Sequence, residues 1–275
     1  MERGVLYVAV GNEFVDEATI SARTLQQEMP DLPTAIVSDE DVSASVFDTV
    51  IEVDDPCFGF RDKIAGIRRS PFDQTVYLDT DVFVAGAFPE LFEVLDRFDI
   101  AATHNPNRDL DTSDLDVPAS FPEYNTGVLA YDTAACADLF EAWADQYRDD
   151  HAHDQPSFRK VTYESDVRIA TLPREYNCMI RYPGKVVEPV KIFHGRLLEM
   201  DSPGAPKYFD VEDAVDRVNG YEGHRIYKRG GRIAGWPRVG RMMHLLRYSL
   251  RTRGVAGTVK SGSVEVWNKA RAALE

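Results

Sequence analysis

The chain has 275 residues, 44% of them apolar, and a formal net charge of −15. That length and composition fit one large α/β domain, or one domain with an extension, and exclude a disordered chain. No apolar run of about 18 residues occurs, which excludes a hydropathy-defined membrane-spanning helix. The acidity argues against a nucleic acid partner.

In chain order, residues 5–10 form an apolar run ending at Gly11-Asn12, read as a buried first strand. Asp16 and Glu17 then open a helix with Ala18, Ala22, Leu25 and Met29 at helical spacing, stopped by Pro30. Residues 34–37 and 49–53 read as strands, and each runs into an acidic turn, Ser38-Asp39 and Asp54-Asp55. Residues 63–70 read as a short helix and 75–78 as a strand. Pro89 suits a helix start, with Leu91, Phe92, Leu95 and Phe98 as the inward face. Residues 100–104 form another strand. The polar, Asp-rich stretch 105–122 has no clear period. Residues 128–131 return to a strand, followed by a helix with Cys136, Phe140, Trp143 and Tyr147 on one face. Residues 168–172 and 191–193 are further short strands. Such alternation implies a mainly parallel sheet with helices on both faces, whose ligands bind beyond the carboxyl ends of the strands.

The stretch 76–84 places Asp79-Thr80-Asp81 between two apolar triplets. If the backbone stays extended, Asp79 and Asp81 point the same way. Two carboxylates beside a buried segment require compensation, and a divalent cation held by hard oxygens supplies it. The plainer alternative is a strand ending in a solvated acidic turn.

From residue 5 to about 198 the sequence resembles nucleotide-diphospho-sugar transferases of the GT-A fold, and is most similar to the family 8 glycosyltransferases and their relatives. Six segments carry the likeness in order: Phe60-Arg61-Asp62-Lys63, Leu78-Asp79-Thr80-Asp81, Tyr124-Asn125-Thr126-Gly127-Val128, Asp154-Gln155, Leu172-Pro173 with Tyr176-Asn177, and Ile192-Phe193-His194-Gly195. The resemblance implies metal ligation by Asp79, Asp81 and His194, a basic nucleotide contact from Lys63, and a donor-sugar role for Asp154 and Gln155, which stand as the catalytic pair. It implies substrate contacts from Gly11, Asn12, Asp39, Thr80, Asn125, Gly127 and Gly195. The family often continues after its late histidine as Gly-x-x-Lys-Pro-Trp. This chain reads Gly195-Arg196-Leu197-Leu198, with Arg196 as the substitute for the missing lysine.

The chemistry fits on its own terms. A departing nucleoside diphosphate gains negative charge, which a divalent cation and basic side chains stabilise. Carboxylates suit Mg2+ or Mn2+, and an imidazole ligand favours Mn2+. The expected activity is metal-dependent transfer of a sugar (hexosyltransferase type) from a nucleotide-diphosphate donor, UDP by resemblance, to a hydroxyl of a carbohydrate, lipid-linked or protein acceptor. The resemblance implies retention of configuration. A front-face mechanism fits, and Glu164 or Asp166 as a covalent nucleophile is the alternative. A sugar-1-phosphate nucleotidyltransferase and a non-catalytic carbohydrate- or nucleotide-binding protein are the competing functions. The Gly11-Asn12-Glu13-Phe14 turn lacks the Gly-rich basic signature of the former.

Two domains are expected, a catalytic domain over 1–205 and a basic extension over 206–275. Residues 1–223 carry a net charge of −25 and 224–275 carry +10. Arginines interleave with bulky apolar residues over 236–253, which suits either an anionic membrane surface or a helix packed on the acidic domain. The three cysteines are widely spaced, Lys is scarce, and the first residues lack a signal-peptide pattern. A cytoplasmic protein, peripheral at the membrane and from a high-salt cell, is the corresponding expectation.

Overall fold

The computed structural model describes residues 1–42, 45–106, 116–148, 153–195, 211–221, 223–228 and 232–233. Arg196, the tail segment 236–253, His151 and most of the polar stretch after Pro106 lie outside the described residues.

A seven-stranded sheet forms the centre. Its strands are β1 (Arg3–Ala9), β2 (Thr34–Ser38), β3 (Thr49–Glu52), β4 (Gln74–Leu78), β6 (Ile100–His104), β7 (Tyr124–Asp132) and β8 (Ile169–Thr171). The spatial order is β3-β2-β1-β4-β7-β6-β8. All pairings are parallel except those of β7, which runs antiparallel to both β4 and β6. The apolar run of β1 is buried from Gly4 to Ala9 because helices cover both faces, while the edge strand β3 alternates half-buried and exposed residues.

On one face, α1 (Asn12–Glu28) buries Val15, Ala18, Ala22 and Leu25 at helical spacing. Its core also takes Phe88, Leu91 and Phe92 around α3 (Glu90–Glu93). The predicted inward face of this last helix stops short of Phe98, which is 38% exposed. The α-helical period ends at Glu93 and a 3-10 turn ends at Asp96, so the spacing no longer points Phe98 inward. On the other face lie α2 (Phe60–Ile67), α4 (Ala137–Gln146) and α5 (Gln155–Glu164). Phe140, Trp143, Tyr147 and Phe158 fill this layer. Each fully buried aromatic side chain contributes about 1.5–3 kcal/mol relative to exposure.

Two small sheets complete the unit. In the first, β5 (Val82–Val84) pairs antiparallel with β11 (Ile192–His194), which pairs parallel with β9 (Cys178–Met179). In the second, β10 (Gly184–Val186), β12 (Arg225–Lys228) and β13 (Arg232–Ile233) form an antiparallel set. The segment α6 (Val211–Asn219) through β13 joins the main body. Ala214, Val218 and Tyr227 share a core with Cys178, Val186 and Phe193. The compact unit spans Met1–Ile233, so the segment from α6 to β13 belongs to it. Among the described residues no helix is long and apolar enough to cross a membrane.

Candidate active site

The acidic motif is a turn, not an extended strand. β4 ends at Leu78, and Asp79-Thr80-Asp81 bends the chain into β5, which belongs to another sheet. The same-face argument from strand periodicity therefore does not apply to Asp81. The two carboxylates converge because the turn brings them together, and two strand registers complete the site. His194 stands opposite Val82 across the β5–β11 pair, which sets it beside Asp81. Leu78 stands opposite Val128 across the β4–β7 pair, so Asp79 N–H donates to the Gly127 carbonyl at 2.8 Å. One ligand atom each from Asp79, Asp81 and His194 lie within 4.8 Å of one another.

The tautomer of His194 follows from its neighbours. The Gly127 backbone N–H, which can only donate, meets Asn125 Oδ1 at 3.0 Å. Asn177 Nδ2 donates to the same oxygen at 2.8 Å, which turns Asn177 Oδ1 toward His194 Nδ1, also at 2.8 Å. That carbonyl oxygen can only accept, so Nδ1 carries the proton and the Nε2 lone pair faces Asp81 Oδ1 at 3.3 Å and Asp79 Oδ2 at 3.7 Å. A lone pair and two carboxylates pointed at one another need a cation between them. This donor set and its outer support have the chemistry to hold a divalent metal. Without a metal, a second proton serves: burial alone pushes the imidazole down, but Asp81 and Asp79 outweigh it and hold His194 above its ordinary value.

Gly127 leaves the room for this arrangement. A Cβ there would stand 2.6 Å from Asp79 Oδ2 and 2.8 Å from His194 Nε2, and nearer still to the imidazole Cε1. Tyr77, two residues before Asp79, donates its hydroxyl to Asp79 Oδ1 at 2.6 Å. Burial and then the Asp79 charge push the Tyr77 phenol well above its usual range, so it stays a donor.

Lys63 sits at the centre of an ion cluster. Its ammonium lies 3.0 Å from Asp79 Oδ1, 3.2 Å from Asp154 Oδ2 and 3.2 Å from Thr126 Oγ1. Three partners match its three donors. Burial works against the charge, but Asp154 and Asp79 prevail and raise Lys63 above its ordinary value. Thr126 donates its own hydroxyl to Asp154 Oδ2 at 2.7 Å.

Pro156 disfavours helical geometry at the residue before it, which from sequence suggests a loop edge at Asp154-Gln155, and the structure differs. Pro156 does not exclude a helix here, because α5 starts at Gln155 and proline is tolerated in the first turn, where its missing N–H is not needed. Asp154 is at the N-cap position, fully buried, and spends its side chain on Lys63 and Thr126 instead of the helix end. Its other oxygen, Oδ1, is buried without a hydrogen-bond partner.

These groups line one cleft of about 460 Å3, whose walls include Phe14, Glu17, Phe58, Tyr77, Gln155 and Tyr182. Lys63, Asp79, Thr80, Asp81, Asn125, Asp154, His194 and Gly195 line it as well. Thr80 is fixed by donating to Glu17 Oε2 at 2.8 Å. Gly11, Asn12 and Asp39 are beside the cleft and do not line it, and the Gly11 N–H is bound to Asp39 Oδ1 at 2.7 Å. Gly127 is beneath the floor. Glu164 lines a different cavity and pairs with Lys160 at 2.5 Å, which leaves it outside the site. Sequence reasoning missed Tyr77, Thr126 and Glu17 as supports. Tyr77 was findable, since residues i and i+2 of a strand share a face, but Glu17 was not.

The fold and this strand-end carboxylate–histidine cluster define a protein built like the GT-A glycosyltransferases. No family model matches the chain, and the comparison with curated proteins gives no match. Among solved structures, the chain is similar to the galactosyltransferase LgtC with bound donor and acceptor sugar analogues, at TM-score 0.55 and 14% identity over 87% of this chain and 99% of that one. It is also similar to mouse xyloside xylosyltransferase 1, at TM-score 0.51 and 17% identity over 71% and 98%. For the glycosyltransferase GlyE of Streptococcus pneumoniae the values are TM-score 0.50 and 15% identity, and the chain spans 48% of that protein. At these identities the shared feature is the fold.

Proposed function

We propose that this protein transfers a sugar from a nucleotide-diphosphate donor to an acceptor hydroxyl with a divalent metal held by Asp79, Asp81 and His194. The observation that carries the reading is the Nε2 lone pair of His194 aimed at two carboxylates, locked there by Asn177 and Asn125. The metal, Mn2+ or Mg2+, would supply charge stabilisation to the departing diphosphate. UDP is the proposed donor nucleotide, and the acceptor is a carbohydrate, lipid-linked or protein hydroxyl.

In this reading the chain's own residues divide the work. Tyr77 and Lys63 fix the Asp79 carboxylate from two sides. The unpartnered Oδ1 of Asp154 accepts a hydrogen bond from a donor-sugar hydroxyl, and Gln155 on the cleft wall orients the sugar. Positioning of this kind carries large rate factors. Retention of configuration by a front-face route agrees with Glu164 standing outside the cleft, which removes one of the two alternative nucleophiles.

The test is a screen of nucleotide-sugar donors with Mn2+, scored by release of nucleoside diphosphate with and without EDTA. Metal-dependent release with one donor is the expected result. Full activity in EDTA, or pyrophosphate release from a nucleoside triphosphate instead, would overturn the reading. Gln155→Ala is expected to lower turnover much more than nucleoside diphosphate affinity.

A further inference from the structure

A divalent ion bound by two carboxylates has its two charges cancelled by its own ligands. The charge of a departing diphosphate then has to be met by another cation. Lys63 is unsuited, because all three of its donors are engaged by Asp79, Asp154 and Thr126. His194 is spent on the metal position.

Arg181 remains. It lines the same cleft, is exposed, and makes no hydrogen bond or ion pair among the described residues. Its place is set by backbone pairing. Met179 of β9 is level with His194 of β11, so the chain two residues beyond Met179 lies beside the residue after His194. That residue, Gly195, takes a left-handed conformation at φ 119 and donates its N–H to the Asp81 carbonyl at 3.1 Å. The Arg181 stem lies alongside it, with Cγ, Cδ and Nε 3.6–3.8 Å from where a Gly195 Cβ would be. A side chain packed against the backbone next to two metal ligands is held near them, while its five N–H donors stay free.

We propose that Arg181 binds the donor's diphosphate and stabilises it as it leaves. This rests on the metal-dependent transfer proposed above. The fork of a guanidinium matches two phosphate oxygens at once, which a lysine ammonium does not.

The experiment uses the full chain and inorganic pyrophosphate, which needs no choice of base. Mn2+ binding is measured first by paramagnetic resonance, and pyrophosphate binding then by calorimetry at fixed Mn2+. Arg181→Ala is expected to keep the Mn2+ affinity and to weaken pyrophosphate roughly tenfold to a hundredfold, as the loss of one charge-assisted contact implies. Arg181→Lys is expected to fall between. Arg69→Ala removes an equal charge elsewhere and is expected to change neither. Unchanged pyrophosphate affinity in Arg181→Ala overturns the proposal while leaving the metal site intact, as does an equal loss in Arg69→Ala. Failure of the wild type to bind Mn2+ overturns the metal reading itself, and the role of Arg181 with it.

Discussion

Replacing Gly127 by alanine tests the geometry of the site with a single methyl group. Gly127 lies in β7 without a positive φ, so alanine meets no backbone strain there, and in a strand it would ordinarily be neutral or better. Space is the obstacle. The new Cβ would fall 2.6 Å from Asp79 Oδ2 and 2.8 Å from His194 Nε2, against about 3.5 Å for a relaxed contact. The carboxylate must retreat by about 1 Å and the imidazole, whose Cε1 is nearer still, by somewhat more, in a region where His194 is 7% exposed and pinned by Asn177. Overpacking of this size costs about 1–3 kcal/mol of stability. A 1 Å displacement of aligned groups costs about a hundredfold in rate. The assays are urea unfolding, Mn2+ affinity and turnover on the donor found by screening. The expected outcome is a moderate loss of stability together with a large loss of Mn2+ affinity. Wild-type metal binding in Gly127→Ala would refute the claim that this glycine makes room for the ligands.

Asn177→Ala removes the acceptor that holds the His194 tautomer and should weaken Mn2+ about tenfold to a hundredfold, read by calorimetry; unchanged affinity would show that the tautomer is set otherwise. Lys63→Met leaves the fully buried Asp154 without its counter-charge and should cost about 3–5 kcal/mol in urea unfolding. Asp154→Asn in that background should recover part of the loss, and an additive double mutant would count against the coupling. The raised His194 value makes metal-free stability pH dependent. A folded-state pKa above the unfolded value gives stabilisation that is full below about pH 6.5 and fades as pH rises through the folded value. Mn2+ replaces that proton, so the Tm gain from Mn2+ should be larger at pH 8 than at pH 6. An equal gain at both pH values would count against His194 as a ligand.

The sequence alone determined what local pattern can determine. Continuous apolar runs marked β1, β2 and β4 because strands covered on both faces need no polar side, and the 3.6-residue spacing of α1 and α4 marked their buried stripes. The ordered motifs also picked out Asp79, Asp81 and His194, which the structure brings within 4.8 Å. Tertiary structure decided the rest, because the relevant neighbours are set by register between distant strands. The sequence reading starts this strand at residue 128, yet residues 124–127 are part of β7 itself. Only because β7 runs antiparallel to β4 does its first half reach the carboxyl end where Asp79 stands. Proline at position 156 argued for a loop, since sequence rules do not say whether a proline falls inside a helix or in its first turn. The commitment of Lys63 to Asp154 joins residues 91 positions apart and leaves no periodic trace in the chain. It is that closed ion cluster, a consequence of packing α2 and α5 on the same face of the sheet, that engages the donors of Lys63 and leaves Arg181 as the unpaired cation among the described cleft residues.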